Sequence, residues 1–170
     1  MKSMFALLLV TNCLAGIIPA SVWAQESKEA AVSETLDGLH AAASAADGDH
    51  YFALFAEEGV FLGTDATERW TVEQFKAYAL PFFEQGTGWT YAPTERHISI
   101  SDDGRTAWFD ERLSNDSLGD TRGTGVLVLR DGAWKVAQYN LTIPVPNKLA
   151  RDLVARIRAL DDPVVEVTAP

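Results

Sequence analysis

The chain has 170 residues, 47% of them apolar, with five Trp, eight Phe and four Tyr. That is enough apolar material for one domain with its own core, and it excludes a disordered chain. A formal net charge of −10 argues against nucleic acid or an anionic membrane as a partner.

The first 24 residues read as a secretory signal peptide. Lys2 supplies a positive start, Met4 to Ile18 is almost wholly apolar, and Val22 and Ala24 place small residues at the −3 and −1 positions of a cleavage site. The apolar run is too short for a transmembrane anchor, and no second run follows. Cys13, the only cysteine, lies inside this leader. Val10-Thr11-Asn12 before it do not suit lipidation. Cleavage after Ala24 leaves a mature chain without cysteine, so disulfides, thiolate catalysis and Cys-ligated metal are excluded. It also removes Lys2 and no acid, taking the mature charge from −10 to −11. A periplasmic or secreted location is expected, with no membrane association after cleavage.

Gln25 to Ala46 reads as a helix, because Val32, Leu36, Leu39, Ala43 and Ala46 recur at helical spacing. Asp47-Gly48 stops it, and Asp49 is the expected cap of a short second helix, His50 to Ala56. Val60-Phe61-Leu62 follows as a short strand and Gly63 to Trp70 as a polar loop. Thr71 and Gln74 match a capping box, with Trp70 and Phe75 as its hydrophobic staple, opening a helix that reaches about Gln85. Pro81 inside it implies a kink or an early end.

From Trp89 the pattern turns to β. A strand ends in His97-Ile98-Ser99-Ile100, Asp102-Asp103-Gly104 makes a hairpin turn, and Arg105 to Asn115 returns. Arg122 to Pro144 is the strongest β signal, two long strands joined at Asp131-Gly132. Asn147 caps a last helix, Lys148 to Leu160, and residues 161–170 read as a tail. There is no internal repeat, so residues 25–160 form one domain. Segregated helices and strands mean α+β. A curved antiparallel sheet packed on the N-terminal helices would enclose one apolar cavity, a common kind of ligand site.

The segments YFALFAEEGVFLGTDATERWT (Tyr51 to Thr71), WFDE (Trp108 to Glu111), RGTGVLVL (Arg122 to Leu129) and WKVAQYNLTIPVPN (Trp134 to Asn147) carry a family resemblance. In that order the chain resembles the nuclear transport factor 2-like superfamily, in its SnoaL-like branch, over about Val32 to Leu149. The resemblance implies a cone-shaped, cystatin-like α+β barrel, often a homodimer through the sheet. It implies no one activity, because the fold hosts isomerases, dehydratases, hydrolases and binding modules.

Three groups of residues are candidates for a site. Asp65, Glu68 and Arg69 beside Trp70 sit in the loop expected at the cavity mouth. Asp110 and Glu111 are adjacent on a strand and face opposite ways. Asp110 shares its face with Trp108 and Arg112, whereas Glu111 shares the more apolar face of Ala107, Phe109 and Leu113. Glu111 is therefore the expected buried carboxylate, with a raised pKa unless a cation pairs with it, and Arg122 or Arg69 is the expected partner. In the third group Tyr139 alternates with Ala137 and Leu141, while Gln138 and Asn140 share a face with Trp134 and Val136. Trp89 is a further candidate contact. Gly123 and Gly125 alternate on their strand and suit close packing.

His40, His50 and His97 have no metal-ligand spacing, and no nucleotide or hydrolase motif occurs, so neither metal nor cofactor is expected. Three functional readings follow. In the first, the cone binds a small, largely apolar ligand, with Arg69, Arg122 and Tyr139 orienting it. In the second, an acid/base enzyme uses Glu111 or Asp110 as base and Tyr139 as donor. In the third, the domain is a structural dimer whose aromatic side chains fill the cavity.

Overall fold

The apolar stripe of the first helix sets where the rest of the chain packs. In the computed structural model, which describes residues 20–161, helix α1 runs Ala20–Ser44. Val32, Leu36, Leu39 and Ala43 are buried at spacings of four, three and four, one helical face laid on a sheet. The expected leader, with Cys13, and the expected tail lie outside the described residues, apart from 20–24 at the start of α1 and Asp161 in the last helix.

Helix α2, Gly48–Ala53, begins two residues before the expected start. Its cap is Asp47, not Asp49, and the Asp47 carboxylate accepts from the His50 N–H at 3.0 Å. The helix stops before Phe55, so β1 is longer than its apolar triplet suggests, Phe55–Leu62. A three-residue strand, β2, Arg69–Thr71, forms where a loop was expected. Helix α3, Val72–Phe83, carries the full capping box. Thr71 Oγ1 accepts from the Gln74 N–H at 3.3 Å, and Gln74 Oε1 accepts from the Thr71 N–H at 2.9 Å. The staple is formed as well, with Trp70 stacked on Phe75 at 5.5 Å. Pro81 falls in the last turn, where little helix remains to be interrupted.

Strands β3 (Ala92–Ile100), β4 (Thr106–Asn115), β5 (Gly119–Arg130) and β6 (Ala133–Thr142) form a continuous meander. The β5–β6 turn has positive φ at both Asp131 (49°) and Gly132 (82°), as a two-residue hairpin of this kind requires. The six-stranded order is β2-β1-β6-β5-β4-β3. One pair departs from the expected antiparallel sheet: β1 runs parallel to β6. The architecture is the expected α+β fold, an open curved sheet wrapped on the N-terminal helices. Helix α4, Asn147–Asp161, ends the described chain with Leu149, Leu153, Ile157 and Leu160 exposed.

The sheet corrects one expectation about faces. Val126 pairs with Gln138 but Leu127 pairs with Val136, so Ala137 is an extra residue on β6. Such a bulge reverses which side chains point inward. Trp134 and Val136 are buried before it, and Tyr139 and Leu141 are buried after it. Gln138 and Asn140 therefore do not share a face with Trp134 and Val136.

Candidate functional site

Alternation on β4 places Ala107, Phe109, Glu111 and Leu113 inward, and Glu111 is 1% exposed. Its carboxylate meets three donors. Arg96 Nε donates to Oε2 at 2.8 Å. Tyr139 Oη donates to Oε1 at 2.9 Å, and His40 Nε2 lies 2.8 Å from the same oxygen. The expected partners, Arg122 and Arg69, are both exposed. Arg96 takes their place because β3 pairs it directly opposite Glu111.

Helix α1 completes the cluster. Ser33, Asp37 and His40 follow one another at spacings of four and three, so they share a stripe beside the apolar one. Arg96 Nη1 donates to Asp37 Oδ1 at 2.7 Å, to Ser33 Oγ at 2.8 Å and to the Ser33 carbonyl at 3.1 Å. The β5 backbone also yields space. A Cβ on Gly123 would collide with the Tyr139 hydroxyl and stand 2.9 Å from Glu111 Oε1.

These contacts decide the charge states. Burial pushes the Glu111 carboxyl up, but the hydrogen bond and charge of His40, with Arg96, outweigh it and hold the group below the usual carboxylate range. Tyr139 is raised well above an ordinary phenol, first by burial and then by the adjacent Glu111 charge. It therefore stays protonated and donates.

His40 and Tyr139 also form part of a cavity wall. The cavity, about 210 Å³, lies between the helices and the inner sheet face, and Phe61, Trp70, Phe75, Tyr78 and Glu68 contribute to its lining. Its aromatic wall is ordered by stacking: Phe61 lies 4.0 Å from Phe75, and Trp70 4.9 Å from Tyr78. A wider cleft of about 440 Å³ adjoins it, sharing Trp89, Tyr91 and Leu118. The inner volume falls below the roughly 300 Å³ at which drug-sized pockets begin. The aromatic side chains fill much of the cone and leave room for a small molecule.

The candidate residues separate into two places. Trp70, Trp89 and Tyr139 line the cavity, and Glu111 lies directly behind it. Trp108, Asp110, Arg122, Gln138 and Asn140 come together on the outer face of the sheet. There Asp110, Thr124 and Asn140 form one cross-strand row, and Trp108, Val126 and Gln138 the next. Trp108 is 51% exposed. Asp65 and Arg69 are exposed at the β1–β2 connection, where Asp65 accepts from Thr67 N–H at 2.8 Å and from Thr67 Oγ1 at 2.6 Å. Those bonds hold the Asp65 carboxyl below its ordinary value.

Sequence reasoning missed His40, Arg96, Ser33 and Asp37. Two signals pointed to them. One is the four-three spacing of the α1 residues. The other is the Asp102 to Gly104 turn, whose register brings residue 96 opposite residue 111. Among the described residues no group of three or more His, Cys, Asp or Glu is placed to hold a metal ion.

The model of the SnoaL-like domain family matches residues 32–146. Among solved structures, an uncharacterised protein with a cystatin-like fold from Caulobacter vibrioides superposes with a TM-score of 0.60 at 17% identity, over 76% of this chain and 99% of that one. A proposed dehydratase of the nuclear transport factor 2-like family from Streptomyces avermitilis gives 0.59 at 12% identity, over 72% and 99%. A proposed calcium/calmodulin-dependent protein kinase II association domain from Xanthomonas campestris gives 0.52 at 24% identity, over 68% and 86%. No curated protein matches the chain.

Proposed function

Because the chain belongs to the SnoaL-like domain family, whose fold serves binding and chemistry alike, we propose that it is a binding domain for a small, largely apolar ligand held in the aromatic cavity. One observation carries this reading. The cavity is walled by stacked rings, while the carboxylate behind it has both oxygens engaged by protein donors. Glu111 is thus already satisfied, and its ionisation is stabilised where a base would need a raised pKa. The signal-like pattern of residues 1–24 supports an exported protein. The outer sheet face, with Trp108 exposed, supports a homodimer through the sheet.

Native mass spectrometry of protein purified from its own host tests the reading. A co-purified small molecule, lost when Trp70 or Phe75 is replaced by Ala in a variant that still folds, is the expected result. Protein without ligand, whose Trp fluorescence no small apolar compound quenches, would favour the filled-core reading instead.

A second reading has its own support. His40 both lines the cavity and binds Glu111, an arrangement in which a carboxylate orients an imidazole for proton transfer. In an acid/base enzyme of this kind His40 would be the base and Glu111 a positioning residue. His40→Gln would then abolish turnover. Glu111→Gln would lower kcat and shift the pH–rate profile; an unchanged profile would remove Glu111 from that role.

A further inference from the structure

The inference concerns the ligand class and rests on the binding reading above. Glu68 is a half-buried carboxylate on the cavity wall. Its Oε2 accepts from the Asp65 N–H at 3.2 Å. Among the described residues no Lys, Arg or His lies within ion-pair distance of it, since every such pair involves other carboxylates. Its seat is shaped by the backbone, because a Cβ on Gly63 would collide with the Glu68 carboxylate.

The lining around Glu68 is poor in positive charge. Neither Lys nor Arg lines the cavity or the adjoining cleft, and the cleft adds Asp116. The one basic side chain on the wall, His40, is turned to Glu111. An anionic ligand would therefore meet no free cation and an unpaired carboxylate. A neutral ligand would leave that carboxylate partly desolvated without compensation. A cation would pair with it beside a lining that includes the rings of Trp70, Tyr78, Trp89 and Tyr91, and aromatic rings attract ammonium groups at close range. The net charge of −10 draws cations toward such an opening.

We propose that the cavity takes an organic ammonium ion, a quaternary or alkylated amine bearing one small apolar group. Its charge sits against Glu68 and the aromatic faces, and its apolar group reaches toward Phe61 and Phe75. The narrow volume suits a single ring or a branched alkyl group.

Phenyltrimethylammonium and tert-butylbenzene, which share a shape and differ in charge, provide the test, with benzenesulfonate as the anion. Binding is read by isothermal titration and by Trp fluorescence. The cation is expected to bind at least about tenfold more tightly than its neutral isostere. Glu68→Gln should remove most of that preference and leave the neutral compound unaffected. Gly63→Ala, which displaces the carboxylate without removing it, should do the same in part. If the neutral compound or the anion binds as well as the cation, or if Glu68→Gln changes nothing, the ammonium proposal is overturned while the cavity remains a ligand site. If none of the three binds, both readings fall.

Discussion

Removing the Arg96 guanidinium should cost the domain a large part of its stability, and the cost should depend on pH. Arg96 Nε donates to a carboxylate that is 1% exposed, and a charge-assisted bond of this kind contributes about 1.5–3 kcal/mol. The contact to Asp37 adds little, because that side chain is 60% exposed. The larger cost is the charge left behind: breaking a buried pair by removing one partner costs about 3–5 kcal/mol, against a total of about 5–15 kcal/mol for a domain. The pH dependence follows from Glu111. In the native protein its pKa is lowered, so its stabilisation is present above the unfolded pKa and is lost as pH falls through the folded value. In Arg96→Met, His40 alone is left to oppose burial, so the carboxyl rises from its native value. The deficit is therefore greatest above that higher pKa and shrinks as the carboxyl takes up a proton. Urea unfolding followed by circular dichroism at about pH 7.5 and about pH 5 measures both effects. A deficit under about 1 kcal/mol, or one that stays constant between the two conditions, would refute the assignment of Glu111 as an ionised buried group sustained by Arg96.

Other expectations bear on the same framework. Gly123→Ala should lower stability by about 1–3 kcal/mol through overpacking against Tyr139 and Glu111, and an unchanged melting temperature would mean that the two side chains move apart freely. Thr71→Ala removes one half of the α3 capping box and should cost about 1 kcal/mol, with faster amide exchange confined to the first turn of α3. Burial raises the pKa of Tyr51 and Tyr139, so the protection they gain is intact below the unfolded phenol value of about 10 and is lost as pH rises beyond it. An ultraviolet titration should show fewer than the four tyrosines ionising before alkaline unfolding, and four ionising together near pH 10 would contradict that burial.

Local signals in the sequence reported local structure well. The Asp131-Gly132 turn, the Thr71 capping box and the Trp70–Phe75 staple are each fixed by a few neighbouring residues and form as expected. Alternation on β4 also identified Glu111 as the inward carboxylate. The remainder depends on register between distant elements. Ala137 carries no mark of a bulge, since one extra residue in a strand is defined only by its partner. Nothing in Phe55 to Leu62 announces that its neighbour is β6, running parallel. The identity of the Glu111 partners required two registers at once, β3 against β4 and the α1 stripe against both. Arg122 looked suitable because it lies on the next strand, yet its own partner in register is Arg112, on the outer face.

The cluster behind the cavity raises a question of economy. A buried ion pair of this size is weak evidence for stability, because a well-packed apolar replacement of the whole group is often as stable. Its value lies in what it fixes. Glu111 Oε1 holds both the Tyr139 hydroxyl and His40 Nε2, and these are the two members of the cluster that line the cavity. One carboxylate therefore sets the orientation of two polar groups on the wall, while His40 and Arg96 keep that carboxylate charged. Glu68, on the β1–β2 side, takes no part in these bonds. The two carboxylates thus have separable duties: Glu111 shapes the wall and bears on folding, whereas Glu68 is free to meet a ligand.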